Sequence, residues 1–238
     1  GHAIQTLPKL RIHEENVMEE LVLSVSYEHI TEMFRTNNNS IWIGKVKKLE
    51  LKDFAVQILP KLRFHKENEM EELTIDTYAP EHITEILDTK NRSICVGKVK
   101  KLVLGMFAVE ILPKLGIHEE NVMVVLNLRG IDRPEHITEI LKTKDKSIWV
   151  GKVRKISLEG YSVGILPKLR MHEENVMEEF GFSADYPKQI TETLKTKDKS
   201  IWIGRVRKIN LAGYAKKIKN KLDFTLISPF DQEEIGSA

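Results

Sequence analysis

The sequence predicts an α/β solenoid, a right-handed coil of strand–helix units with a curved parallel sheet on one side and helices outside it. Three observations predict this. Similar segments return about every 53 residues, a leucine frame recurs eight times, and the spacers between frames alternate in length. The segment ILPKLR and its variants place prolines at Pro8, Pro60, Pro113 and Pro167, in steps of 52, 53 and 54. The segment SIWIGK and its variants place glycines at Gly44, Gly97, Gly151 and Gly204, in steps of 53, 54 and 53. Four tandem copies therefore cover nearly all of the 238 residues, and a period of this size is the mark of a repeat architecture.

Each copy divides into two units. One L-x-x-L-x-L frame follows each of those glycines: Val46, Leu49 and Leu51 in the first copy, Val99, Leu102 and Leu104 in the second. The last two are Val153, Ile156, Leu158 and Val206, Ile209, Leu211. The same frame occupies the other half as Met18, Leu21, Leu23; Met70, Leu73, Ile75; Met123, Leu126, Leu128; and Met177, Phe180, Phe182. The eight frames start 28, 24, 29, 24, 30, 24 and 29 residues apart, close to the leucine-rich-repeat period. Within a frame, alternate residues of a short strand point inward. The rest of each unit must cross back, because parallel strands need a long connection.

The crossovers carry their own signals. PEHITEIL, at Pro80–Leu87 and Pro134–Leu141, places proline and glutamate where a helix begins, with Ile83, Ile86 and Leu87 on one face. Looser copies are Tyr27–Phe34 and Pro187–Leu194. The segment Phe54–Leu62 predicts one or two helical turns, because Pro60 removes a backbone donor. After Leu211 a fifth copy begins and stops. Lys-rich Ala215–Leu222 is expected to cap the solenoid, Phe224–Ile227 to add a last strand, and residues 228–238 to form a tail. Residues 1–3, Gly1-His2-Ala3, and the closing Gly236-Ser237-Ala238 read as appended residues, leaving 4–227 as the solenoid.

Composition narrows the function. There are 37 Lys+Arg against 35 Asp+Glu, a net charge of +2, so the chain has no bulk cationic field for nucleic acid. No apolar run is long enough for a membrane span. One cysteine, Cys95, excludes an internal disulfide framework. With no apolar secretory leader, this predicts a cytoplasmic protein. There is no G-x-S-x-G, phosphate loop or H-E-x-x-H motif, so no catalytic site, cofactor or metal is expected. The loops His13–Asn16, His65–Asn68, His118–Asn121 and His172–Asn175 hold imidazole beside carboxylate, but two repeat units separate successive histidines. That is about 10 Å, too far for a shared metal, and each loop reads as a turn ended by asparagine.

Two side-chain rows are candidates for binding. Trp42, Trp149 and Trp202 share one repeat position with Cys95. Their apolar neighbours, such as Ile41 and Ile43, favour buried packing over an aromatic ladder, with Cys95 a buried thiol. Phe54, Phe107, Tyr161 and Tyr214 are read as rings filling the corner after the strand.

The concave sheet face is the functional candidate. Its outward residues alternate between strands. Lys47, Lys48; Lys100, Lys101; Arg154, Lys155; and Arg207, Lys208 face Glu19, Glu20; Glu71, Glu72; and Glu178, Glu179. In the third copy the acidic pair is replaced by Val124 and Val125, which is expected to leave Lys100, Lys101, Arg154 and Lys155 without that acidic neighbour. An apolar strip among four cations predicts a partner-binding site for an acidic, hydrophobic protein segment or peptide.

The order VKKLxLxGY, ILPKL, MEELxI, acidic-start helix and tryptophan-containing lead resembles the FTH domain found beside F-boxes in nematode F-box families. The best-matching stretches are Val153–Leu169 and Trp149–Ile156. The resemblance covers about two-thirds of each copy and implies a leucine-rich-repeat-like, non-enzymatic domain that recruits substrates for an F-box adaptor. Four copies this alike also fit recent duplication or an engineered repeat scaffold without a natural ligand. A nucleic-acid-binding repeat protein is the remaining alternative, and the interleaved glutamates oppose it.

Overall fold

The computed structural model describes residues 6–9, 12, 13, 15–26, 30 and 35–228. Apart from Ile30, the expected helix at Tyr27–Phe34 lies outside the described residues, as do the appended residues at both ends and the tail beyond Ser228.

The chain is α/β, with a 12-stranded, wholly parallel, open sheet whose strands alternate with short helices. The strands are β1 Val17–Val25, β2 Ile41–Asp53, β3 Leu62–Phe64, β4 Glu69–Thr77, β5 Ile94–Met106 and β6 Leu115–Ile117. They continue with β7 Val122–Arg129, β8 Ile148–Glu159, β9 Leu169–Met171, β10 Val176–Ala184, β11 Ile201–Gly213 and β12 Leu222–Leu226. The eight leucine frames lie in order along the path β1-β2-β4-β5-β7-β8-β10-β11, and β12 ends it. This is a repeat-like parallel strand–helix solenoid architecture.

Strand length differs from expectation. β2, β5 and β11 run 13 residues because the SIWIG lead and the leucine frame form one strand. Gly97 joins the two parts of β5 at φ +76, and a Cβ there would stand 2.6 Å from the Asn68 carbonyl oxygen. Only glycine accepts both conditions. The leads pair with the short strands β3, β6 and β9, which carry no leucine frame of their own.

The connections are tighter than predicted. PEHITEIL is a 3-10 turn, Pro80–His82, then a single α-turn, Thr84–Leu87, rather than one helix. The ILPK segments are 3-10 helices at Phe54–Lys61, Phe107–Lys114 and Gly160–Lys168, and the Lys-rich Tyr214–Lys221 is a fourth. Their lysines reach back to cap the preceding turn. Lys114 Nζ donates to the Thr89 carbonyl at 2.7 Å and Lys168 Nζ to that of Thr143 at 2.8 Å.

The core lies between sheet and helices. Leu49, Leu51, Leu73, Ile75, Leu102, Leu104, Leu126 and Leu128 from the strands are buried with Ile58, Leu59, Ile111 and Leu112 from the helices. Burial of each such side chain contributes about 1.5–3 kcal/mol. The corner rings Phe54 and Phe107 are partly buried and pack on His82 and His136 at 4.2 and 4.5 Å between centroids. Both histidines are buried, which lowers their pKa.

Candidate interaction face of the sheet

Strand register aligns the outward residues into continuous rows. One row runs Glu20, Lys48, Glu72, Lys101, Val125, Lys155, Glu179, Lys208 across eight strands. Neighbouring strands lie about 4.8 Å apart, within reach of long acid and base side chains. The pairs form. Lys101 Nζ is 3.0 Å from Glu72, Lys208 Nζ is 3.5 Å from Glu179, and Lys47 Nζ is 2.8 Å from Glu19. Burial alone would raise the Glu72 carboxyl, but hydrogen bonds from Lys101 and Thr74 outweigh it and hold the group below the ordinary range. Hydrogen bonding to Glu19 raises Lys47.

Val125 interrupts this row between Lys101 and Lys155. Val122 and Val124 of the same strand are exposed at 45% and 39%. The expected loss of acidic neighbours is corrected in part. Lys101 turns to Glu72, while Arg154 and Lys155 turn to Glu178 at 4.0 and 3.7 Å, each on the strand away from the valines. A cation needs only one of its two flanking strands to supply an acid. Lys100 is exposed and makes no ion pair among the described residues. The strip is therefore apolar at its centre, with its bordering charges drawn outward.

A second row lies beside the first: Glu50, Thr74, Val103, Asn127, Ser157, Gly181, Asn210. Asn127 Oδ1 is shielded from solvent without a hydrogen-bond partner. A third row carries one long tie. Arg129 Nη2 is 2.6 Å from Asp76 Oδ2, and Gly105 on the intervening strand leaves the space that pair crosses.

The tryptophan row is a correction. Trp42, Trp149 and Trp202 are half-buried, and Cys95 is exposed rather than buried. Ile41 and Ile43 point inward, so the residue between them must point outward. Arg63 lies over Trp42 and Arg170 over Trp149, each 5.0 Å from the ring. The arginine partners come from β3 and β9, three-residue strands too short to show alternation in the sequence.

In three of the four loops the asparagine does more than end a turn. Asn68, Asn121 and Asn175 are buried, and their Oδ1 atoms accept the backbone N–H of Val46, Val99 and Val153 at 2.8, 2.8 and 2.7 Å. On that side of β2, β3 covers Ile41–Gly44 and β4 resumes at Lys48, so the amide bridges the gap between them. The histidines serve the same loops. His65, His118 and His172 each accept a backbone N–H two residues on through Nδ1. Among the described residues no group of three His, Cys, Asp or Glu is placed to hold a metal ion, and no helix is long and apolar enough to cross a membrane.

No protein-family model, curated protein or solved structure matches this chain.

Proposed function

We propose that the chain is a non-enzymatic scaffold of four tandem strand–helix–strand–helix copies that binds a protein or peptide on its open sheet face. The break in the acid–base row at Val124 and Val125 carries the reading. Seven of the eight outward positions in the row are charged, four lysines and three glutamates, which favours solubility over recognition. The valine strand exposes apolar area on a rigid platform, with Lys100, Lys101, Arg154 and Lys155 as its cationic border. An extended segment with one or two large apolar residues and flanking acids would bury the valines and meet those cations. Such a partner agrees with the FTH-like resemblance, in which a repeat domain recruits substrates to an F-box adaptor. The glutamates paired to Lys47, Lys101 and Lys208 oppose a nucleic-acid ligand, because each phosphate contact would first have to displace a carboxylate.

The test uses an array of 12-residue peptides alternating Asp/Glu with Leu/Phe. Wild type should retain a subset, and Val124→Glu with Val125→Glu should weaken those peptides at least several-fold while the melting temperature holds. Glu178→Val with Glu179→Val should create a second retaining strip. Equal retention by wild type and the double-glutamate form would remove the reading.

A further inference from the structure

A different part of the molecule, the corner where β5 begins, departs from its counterparts in three residues at once. In two other corners an indole and a guanidinium pack together. Trp42 pairs in register with Arg63, and Trp149 with Arg170. His65 and His172 stand edge-on to those indoles, at 6.2 and 6.1 Å. At the start of β5 the register pair is Cys95 and Gly116, so both large side chains are missing together. His118 follows Cys95 by the same 23 residues that separate His65 from Trp42 and His172 from Trp149. It keeps its place in the loop, with no indole beside it.

The third departure is charge. The loop His65-Lys66-Glu67-Asn68 has lysine where the other three have glutamate. Lys66, Cys95, Gly116 and His118 line one open cleft of about 670 Å³, walled also by Phe64 and His65. Arg92, Glu119 and Glu120 line the same cleft, with Glu119 3.7 Å from Arg92, and Glu67 of the lysine's own loop pairs with Lys45 at 3.9 Å. Lys66 makes no ion pair among the described residues, so its charge is available to a ligand. The chain cannot refill the cleft simply, because a Cβ on Gly116 would stand 2.9 Å from the Arg92 carbonyl oxygen.

We propose that this corner is a receptor for a tryptophan side chain of a partner peptide, with an aspartate or glutamate next to it. The corners at Trp42 and Trp149 show what the walls accept: an indole set edge-on to the loop histidine. A ring entering here would take the place that Trp149 holds in its own corner, against His118. Removal of the guanidinium leaves the ring's outer face free, and Lys66 moves the positive charge to the rim, where a carboxylate can reach it. This site lies at the strand starts and does not depend on the valine strip, so the two readings fail separately.

Cys95 is the chain's one cysteine and is exposed, which makes it the reporter. The folded protein is equilibrated in a thiol–disulfide buffer with equal amounts of the peptides Cys-Gly-Trp-Asp, Cys-Gly-Leu-Asp and Cys-Gly-Trp-Lys, and the mixed disulfides are counted by intact mass. The Trp-Asp peptide should exceed Leu-Asp about tenfold and Trp-Lys several-fold, and all three should be equal in denaturant. Lys66→Glu, which installs the residue of the other loops, should abolish the Asp-over-Lys preference and keep the indole preference. Free acetyl-Trp-Asp should also slow alkylation of Cys95. Equal capture of the tryptophan and leucine peptides by the folded protein, or a preference for the Lys-ended peptide, would overturn the proposal.

Discussion

Glu110 is the most informative single residue for stability. It is a carboxyl group only 3% exposed, in the 3-10 helix Phe107–Lys114. Burial pushes its pKa from 4.5 up to about 7, even though it accepts backbone N–H bonds from Glu139 and Ile140 at 2.8 and 2.5 Å. The desolvation cost of the anion thus exceeds what two donors return. Between pH 4.5 and 7 the folded chain holds a proton that the unfolded chain has released, so stability falls as pH rises through that window. The difference between about 7 and 4.5, at about 1.36 kcal/mol per tenfold change in acidity, is about 3 kcal/mol. At the corresponding place Gln57 is neutral and donates through Nε2 to the Glu81 carbonyl at 2.6 Å. Glu110→Gln should therefore match or trail wild type in urea unfolding at pH 5 and exceed it at pH 8. The gap between the variants should widen by about 2.5 kcal/mol across that span. Buried His82 and His136 act from the other side. Their lowered pKa values mean that stability is lost as pH falls below the ordinary histidine value of 6.5, in both variants alike. Parallel stability profiles for wild type and Glu110→Gln from pH 5 to 8 would refute the reasoning.

Two further predictions concern the sheet. Asn121→Ala removes the acceptor of the Val99 N–H and the donor to the Val99 carbonyl, both buried, and should cost about 1–3 kcal/mol in denaturant unfolding. An unchanged midpoint would mean that water replaces the amide. Gly105→Ala would put a Cβ 1.8 Å from Asp76 Oδ1, so the carboxylate must swing off Arg129. It should cost about 1 kcal/mol in wild type and nothing in an Asp76→Ala background, and additive losses in that cycle would show that the two positions do not interact.

The leucine frames were legible because strand burial has a period of two and the inward residues are all large and apolar. Leu49, Leu73, Leu102, Leu126, Ile156 and Phe180 are all buried, as the frame requires. The acid–base rows were legible for the same reason, since outward positions on neighbouring strands meet in register. The tryptophan row was misread although the same period contained the answer. Ile41 and Ile43 take the inward direction and leave Trp42 outward, whatever its hydrophobicity. The short strands β3, β6 and β9 left no such signal, because three residues are too few to show alternation. Nor did the asparagine bridges, since their partners lie 22 residues away and only the fold brings them together.

That contrast bears on where function can reside. Interior substitutions here are constrained by volume. Phe180 and Phe182, which replace leucines, pack ring against ring at 4.1 Å, and Gly181 stands between them facing out. Exposed positions carry no such constraint, so a change there costs little stability and records either drift or a ligand. Drift at independent sites has no reason to remove an indole, its stacking arginine and a loop glutamate around one cleft, as Cys95, Gly116 and Lys66 do. Nor has it reason to replace two adjacent acids by two valines while Lys101, Arg154 and Lys155 around them stay paired, as at Val124 and Val125. Coordinated change at surface positions that share no packing partner is what selection by a ligand would leave, and a binding measurement, rather than a melting curve, is the observation that separates it from chance.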